Sequence, residues 1–314
     1  MRIVFSFFFL LMGLISVSGQ NSQPVPFLPE IFRQLPNVRD FSMSAKGNEI
    51  YFTVESYKKD FSAILFIRKT SNGWTQPEVV PFSGQYRDLE PFLSSDNLAL
   101  YFVSTRPTSD SSSAKKDADI WMIKRATLQS AWSAPVHLDA PVNSDKDEYY
   151  PAVARNGNIY FTRESNDPER NEDIFRSVFI IGKYTEPVAL SDSVNSPTYE
   201  FNAYVSPDEN YILFSSYGRP DDAGGSDLYI CKKNANGEWT AARNLGKTIN
   251  SNKIDYCPFP DLKNNILYFT SERNTLPHQY KSKQSWKQLK QHINQYSNGL
   301  SRIYCVPFDV KTNP

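Results

Sequence analysis

Acidic side chains recur at the same place in four similar segments of the chain. Each stands three residues before a proline or its counterpart, at the start of an apolar run: Asp88, Glu148, Glu200 and Asp255. Clustered carboxylates repel one another, which raises the pKa of some members or recruits a cation. The pattern leaves two interpretations. Each acid accepts a hydrogen bond from a backbone N–H or from a neighbouring unit's arginine, or the acids together form a ring that binds a ligand or cation. Repetition favours the architectural interpretation.

Arginines recur with the same spacing, after the second apolar run of each segment: Arg106, Arg163, Arg219 and Arg273. An aspartate begins the third run in three segments: Asp119, Asp173 and Asp227. The sequence predicts an ion pair between these two sets that links neighbouring units. The alternative is an arginine-lined surface for an anionic ligand such as a carboxylate-bearing sugar, because guanidinium groups match carboxylates in a bidentate geometry.

These charged residues belong to a longer internal repeat. An aromatic or apolar pair returns at intervals of about 50 to 60 residues, at Tyr51-Phe52, Tyr101-Phe102, Tyr160-Phe161, Leu213-Phe214 and Tyr268-Phe269. Each unit contains four alternating apolar runs separated by polar turns, and Asn156-Gly157 is a strong hairpin signal. Four antiparallel strands in a unit of this length indicate a propeller blade.

The predicted fold is all-β: a five-bladed β-propeller of four-stranded antiparallel blades, with the ring closed by an N-terminal strand. The last repeat lacks a fourth strand of its own, and residues 23–32 are predicted to supply it, which removes an unpaired edge. Residues 20–314 are predicted to form one domain. Its blades are predicted at roughly 38–88, 89–148, 149–200, 201–255 and 256–314.

One insertion interrupts the last unit, at residues 275–299. Trp286, Leu289, Ile293 and Tyr296 fall at steps that place them on one face of a helix, and the lysines fall on another face. We expect a helix whose apolar face packs on the ring and partly caps it. Because loops on a rigid scaffold often carry binding sites, Trp286, Lys287 and Lys290 are candidate binding residues. The alternatives are a simple plug or a helix on a membrane surface. A second insertion, residues 107–119, has the composition of a flexible loop.

The N-terminus favours export. Arg2 precedes an apolar run over residues 3–17, and small residues follow, which is typical of a secretory signal peptide over residues 1–19. The run is short for a membrane anchor, and no later stretch is apolar enough to cross a bilayer. The predicted location is the periplasm or the outside of the cell. The chain carries 34 basic and 34 acidic residues, so its charge gives no reason to expect a nucleic-acid partner.

Particular segments of the repeat resemble a known family. "SPDENYILFSS" (206–216), "GGSDLYI" (224–230), "WSAPVHL" (132–138) and "NSDKDE" (143–148) resemble the TolB-like propeller repeats, the Pro-Asp-type relatives of WD repeats. The resemblance covers nearly all of the chain after residue 19. It implies a propeller fold and a place in the bacterial cell envelope.

The chain contains neither a G-x-S-x-G nucleophile elbow nor a phosphate-binding loop. The candidate acids recur at equivalent positions, whereas a catalytic acid and base need different environments. The sequence therefore favours a non-catalytic protein-binding or scaffolding module with an envelope protein as partner. The alternative is a glycan-active hydrolase or lyase, or a carbohydrate-binding propeller, that uses acids at the channel mouth. No cofactor is expected, and a cation in the central channel is left open as an alternative.

Overall fold

The computed structural model describes residues 23–108, 117–165, 167 and 169–312. The predicted signal peptide and most of the predicted loop 107–119 lie outside these residues. No helix in the described part of the chain is long and apolar enough to cross a membrane.

The strands form five antiparallel blades that follow one another along the chain. Strand β1 (Val25–Pro26) and helix α1 (Pro29–Phe32) come first. Blade one contains β2 (Asn37–Met43), β3 (Glu49–Glu55), β4 (Ser62–Thr70), the short β5 (Gly73–Trp74) and β6 (Glu78–Val79). Blade two contains β7 (Asp88–Leu93), β8 (Ala99–Ser104), β9 (Asp119–Lys124) and β10 (Val136–His137).

Blade three contains β11 (Glu148–Val153), β12 (Ile159–Glu164), β13 (Glu172–Ser177) and, after the small hairpin β14 (Phe179–Ile180) and β15 (Lys183–Tyr184), β16 (Val188–Ala189). Blade four contains β17 (Tyr199–Val205), β18 (Tyr211–Tyr217), β19 (Asp227–Lys232) and β20 (Arg243–Asn244). Blade five contains β21 (Asp255–Asp261), β22 (Ile266–Ser271) and β23 (Arg302–Pro307), with helix α2 (Trp286–Ile293) inserted before β23. The predicted fold class is therefore confirmed.

The N-terminal strand closes the ring, as predicted. Val25 of β1 pairs with Cys305 of β23, so β1 is the fourth strand of blade five. The strand is shorter than the predicted residues 23–32, because the chain turns into α1 at Pro29. Phe27 lies between β1 and α1. Its ring packs edge-on against those of Tyr268 and Phe41, with ring centroids 4.8 and 5.6 Å away.

The repeated aromatic pairs lie on the second strand of each blade. In β18, six of the seven residues are buried, including both members of its pair. The second strand of a blade is covered on both faces because the blade is stacked between two others. Its side chains are therefore apolar on both faces, without the alternation of apolar and polar residues seen in a strand that is exposed on one face.

Each innermost strand contains a β-bulge at the same place. The bulged residues have positive φ values of 50–60°: Asp40, Glu90, Tyr150, Asn202 and Cys257. In β7, for example, the ladder shifts between Leu89 and Phe92. A bulge re-aims side chains and is common beside functional sites. The repetition of this bulge in all five blades gives the centre of the ring a common geometry.

Aromatic side chains meet beyond the bulges and fill the centre of the ring. Tyr204 contacts Phe92 and Phe259, with ring centroids 6.2 and 5.5 Å away, and Phe259 contacts Phe41 at 5.4 Å. These rings come from blades one, two, four and five. These rings block the central channel, so the space at the strand-start end of the ring is a blind pocket.

Candidate functional site

The four repeated carboxylates are buried components of an intra-blade ion pair. Each is fully buried at or near the start of the innermost strand. Arg106 donates to Asp88 across 2.7 Å. The equivalent N–O distances are 3.6 Å for Arg163–Glu148, 2.8 Å for Arg219–Glu200 and 3.0 Å for Arg273–Asp255. Because every guanidinium neutralises its own blade's carboxylate, the four acids do not form an open acidic ring.

The same arginines explain why the aromatic pairs repeat. The Arg106 guanidinium lies over the rings of Phe102 and Trp121, 5.0 and 5.4 Å from their centroids. Arg219 lies in the same way over Phe214 and Tyr229. A buried guanidinium is stabilised by aromatic faces as well as by a carboxylate.

Three of the four arginines also bind the segment that connects the preceding blade to their own blade. Arg106 donates to the carbonyl oxygen of Phe82 at 2.9 Å, and Arg273 donates to that of Ile249 at the same distance. Arg219 makes the equivalent bond to Val194. The charged pair therefore fixes the crossover between blades, which is a structural function.

The predicted partners of these arginines were wrong. The ion pairs lie within a blade, and the third-strand aspartates contact other groups: Asp119 contacts His137 at 2.9 Å, Asp173 contacts Arg170 at 3.7 Å, and Asp227 accepts from Asn244 at 2.7 Å. In an antiparallel hairpin, the start of the first strand lies opposite the end of the second. That neighbourhood brings Asp88 and Arg106 together.

A pocket of about 740 Å³ opens at this end of the ring. Every blade contributes the residue that precedes its bulge to the pocket wall: Arg39, Leu89, Tyr149, Phe201 and Tyr256. Tyr199, Tyr217 and Ile254 form an exposed rim, and Tyr217 is 52% exposed. The pocket has the size and the largely apolar, aromatic lining that are typical of binding sites.

The floor of the pocket is a charged network that joins neighbouring blades. Arg39 donates to Asp40 at 2.7 Å and to Glu90 at 2.8 Å. Asp40 also accepts from the Cys257 thiol at 2.9 Å, and Glu90 accepts from the Tyr150 N–H at 2.7 Å. These contacts connect blades five, one, two and three around the axis.

Burial raises the pKa of Glu90 to about 8, and the Asp40 carboxylate adds to the rise, although the Arg39 guanidinium opposes it. Desolvation disfavours the charged form of an enclosed carboxyl group. Burial therefore favours the protonated form of Glu90 relative to an exposed glutamate. Burial likewise raises the pKa of the Cys257 thiol well above its usual value, so this cysteine is not a nucleophile.

Two further charges at the rim neutralise each other. Lys59 donates to Glu272 at 2.5 Å, which links the loops of blades one and five. Two charged side chains of the pocket make no hydrogen bond or ion pair with any residue that the structure describes: Arg87 and Glu172. Burial raises the pKa of Glu172, and the Asp147 and Glu164 carboxylates add to the rise.

The inserted helix α2 forms as predicted but does not pack as predicted. Ser285 caps its N-terminus with a reciprocal capping box to Gln288, and none of its residues is buried. Trp286 is 70% exposed and Ile293 is 51% exposed. The expectation that this apolar face covers the ring was therefore wrong. Lys287 and Lys290 are also exposed, so the candidate residues on α2 are accessible on the surface.

Tyr296, which was predicted to share the helix face, belongs to the core. It lies after α2, is 7% exposed, and donates to the carbonyl oxygens of Phe27 at 3.0 Å and Ile303 at 2.6 Å. Tyr296 therefore anchors the insertion between the closing strand and β23, while α2 stands away from the ring.

Sequence reasoning missed most of the pocket. The residues before each bulge differ in type from blade to blade, so no repeat marks them. Their position was the available signal, since in blades two to five each directly follows a repeated acid. Among the described residues, no group of three or more His, Cys, Asp or Glu side chains could hold a metal ion.

Comparison with known proteins shows the fold and no closer relationship. No family model matches the chain, and no curated protein matches it. An α-L-arabinofuranosidase from Lactobacillus brevis superposes with a TM-score of 0.54 at 12% identity, covering 92% of this chain and 95% of that one. An α-L-arabinofuranosidase from Podospora anserina, solved with cellotriose, gives 0.52 at 10% identity, covering 91% and 96%.

The structural neighbours also include TolB from Acinetobacter baumannii. Its TM-score is 0.47 at 14% identity; the alignment covers 85% of this chain and 54% of that one, so this chain spans about half of the TolB structure. The chain is an all-β, five-bladed propeller whose structural neighbours include both TolB and α-L-arabinofuranosidases.

Proposed function

We propose that this chain is an exported, non-catalytic binding module of the bacterial cell envelope. It holds a segment of a partner protein in the pocket at the mouth of its channel. The observation that carries the proposal is the contrast between the two sets of residues at this end of the ring. The repeated acids are buried in structural ion pairs, whereas the blind pocket above them presents aromatic side chains to solvent.

The rim has the composition of a protein interface. Tyrosine supplies a large, rigid contact area and is enriched at the centre of interfaces. Tyr199 and Tyr217 lie next to each other, with ring centroids 6.1 Å apart, and Ile254 is 38% exposed. Helix α2 belongs to the insertion that leaves the same end of the ring. It begins 14 residues after Glu272 of the pocket rim and adds the exposed Trp286. A partner that enters the pocket can therefore also contact α2.

Affinity capture from envelope extract tests this proposal. Wild-type protein is compared with Tyr217→Ala/Ile254→Ala and with Ile181→Ala, a control at a 98% exposed residue in the β14–β15 hairpin. A partner retained by wild type and by the control, and lost by the pocket variant, supports binding through the mouth. Equal retention by all three proteins refutes it.

A second candidate function uses the same pocket for glycan hydrolysis. One observation favours it: Glu90, whose pKa burial raises to about 8, lies beside Asp40 at the pocket floor. Glycoside hydrolysis needs one protonated and one ionised carboxyl group. However, Arg39 donates to both carboxyl groups, which leaves less of either available to a substrate.

Arabinoxylan is a suitable probe for the second candidate, because two of the structural neighbours are arabinofuranosidases. Release of reducing sugar by wild type and its loss in Glu90→Gln would establish hydrolysis and displace the binding proposal. If Glu90→Gln releases sugar as fast as wild type, the assignment of Glu90 as the acid is wrong.

A further inference from the structure

Three cationic side chains line the pocket at the channel mouth, and two of them are neutralised within the protein. Arg39 is held by Asp40 and Glu90, with N–O distances of 2.7 and 2.8 Å. Lys59 is held by Glu272 at 2.5 Å. The third, Arg87, lines the pocket and makes no side-chain hydrogen bond or ion pair with any residue that the structure describes.

Arg87 lies in the pocket wall at the entry to blade two. The residue is half-buried and precedes Asp88. Its charge lowers the pKa of Glu90, Glu55 and Tyr149 against the larger effect of their burial, so the guanidinium lies near all three. A half-buried guanidinium without an ion pair has lost part of its hydration, and a bound anion replaces those water contacts with charge-assisted hydrogen bonds.

The chemistry of the wall says which anions fit. A guanidinium presents a planar fork that matches a carboxylate. Leu89, Phe201 and Ile254 offer apolar surface and no hydrogen bonds. Of the polar side chains in the wall, Thr162 and Ser226 already form hydrogen bonds with the backbone. A glycan needs partners for many hydroxyl groups, whereas a peptide with apolar residues beside an acidic one fits a mainly apolar wall that carries a cation.

We infer that Arg87 is a specificity residue of the pocket, which binds the carboxylate of an acidic residue flanked by apolar residues in a partner's peptide segment. This inference rests on the proposed protein-binding function. Glu172 is the other charged pocket residue that makes no ion pair with any described residue. Its negative charge disfavours segments with several acidic residues. A single acidic residue is therefore the expected motif.

Selection from a displayed library of random heptapeptides tests the inference. The library is panned on wild type, Arg87→Gln, Arg87→Lys and Tyr217→Ala, with Arg33→Gln as a control at an exposed arginine away from the pocket. On wild type and on the control we expect one Asp or Glu between apolar residues. A synthetic peptide of the selected sequence should bind wild type at least tenfold more tightly than the same peptide with the acid changed to its amide.

In Arg87→Gln, the affinity ratio between the acid peptide and its amide should fall below about threefold, since one charge–charge hydrogen bond accounts for about a tenfold difference in affinity. In Arg87→Lys, part of this ratio should persist, because the charge is kept. Peptides that lack an acidic residue but lose binding in Tyr217→Ala would overturn the role of Arg87 and leave the proposed function standing. If no peptide depends on Tyr217 or Arg87, both fail.

Affinities measured in the same way for trigalacturonate and its methyl ester distinguish a peptide ligand from a sugar-acid ligand. Binding of trigalacturonate that requires Arg87 and is lost in the ester, without any peptide that depends on Arg87, would overturn the peptide assignment. Circular dichroism and thermal unfolding of each variant verify that the ring is folded. Arg87→Gln should unfold like wild type, because the side chain makes no hydrogen bond or ion pair with the residues that the structure describes.

Discussion

Arg39 of blade one donates to Glu90 of blade two across 2.8 Å, beneath the pocket at the channel mouth. This contact joins two bulged inner strands, and it places a guanidinium beside a carboxyl group whose pKa burial raises to about 8. At the floor of the pocket, the contact that joins blades one and two therefore involves a titratable carboxyl group.

Glu90→Gln should change how stability depends on pH. The unfolded chain releases the Glu90 proton near pH 4.5, whereas the folded chain keeps it up to about pH 8. Its contribution to stability is therefore fully present below pH 4.5 and is lost as pH rises towards 8, with a slope of at most about 1.4 kcal/mol per pH unit.

Urea unfolding of wild type and Glu90→Gln from pH 5 to 8 measures this effect. Glu90→Gln should gain stability relative to wild type as pH rises, while the exposed control Glu186→Gln should stay parallel to wild type. Parallel curves for wild type and Glu90→Gln would show that the pKa of Glu90 is not raised.

Arg106→Gln should destabilise the ring by about 3–5 kcal/mol, because it leaves Asp88 buried without a countercharge. The double variant Asp88→Asn/Arg106→Gln should lose less stability than the sum of the two single changes. Arg68→Gln breaks an ion pair to Glu49 whose arginine is 56% exposed, and should cost less than about 1 kcal/mol. Equal losses for Arg106→Gln and Arg68→Gln in urea unfolding would contradict the structural function of the repeated pairs.

Phe27→Ala should cost about 2–3 kcal/mol, since the ring packs against Phe41 and Tyr268 where the N-terminal strand closes the ring. Val25→Thr, on the exposed side of the same strand, should stay within about 0.5 kcal/mol of wild type. Light scattering should detect association of Phe27→Ala on mild heating, because release of β1 uncovers the edge of β23. A monomeric Phe27→Ala of wild-type stability would show that closure does not depend on this contact.

Tyr296→Phe and Trp286→Ala distinguish the anchor of the insertion from its helix. Tyr296→Phe removes a hydroxyl that donates to Phe27 and Ile303, and should cost about 1 kcal/mol or more. Trp286→Ala removes a larger but exposed side chain and should leave the melting temperature unchanged. The reverse order of stabilities, measured by thermal unfolding, would mean that the helix covers the ring after all.

The sequence predicts the repeat, the strands and the closing strand well, because these follow from local patterns. Tyr160-Phe161 and its counterparts mark the second strands since stacked blades bury both faces. The helix follows from the spacing of Trp286, Leu289 and Ile293, but spacing cannot say whether another surface covers that face. Exposure of Trp286 depends on how the loop leaves blade five.

Only part of the candidate site could be predicted from the sequence. Arg106 and Asp88 could have been paired from hairpin geometry, because the end of β8 lies opposite the start of β7. The pocket depends on the bulges, whose residues share no side-chain type. Arg39, Leu89 and Tyr149 occupy equivalent positions with unrelated chemistry, and only the assembled ring brings them to one opening.

The most direct test of binding through the channel mouth is photocrosslinking in the cell. A photoreactive phenylalanine analogue replaces Tyr217 at the pocket rim, and in a separate variant it replaces Ile181, which is 98% exposed on the β14–β15 hairpin. Binding at the mouth predicts one discrete protein adduct from position 217 that is absent from position 181 and lost when Ile254→Ala is added. No adduct at position 217, or the same adducts at both positions, would contradict it.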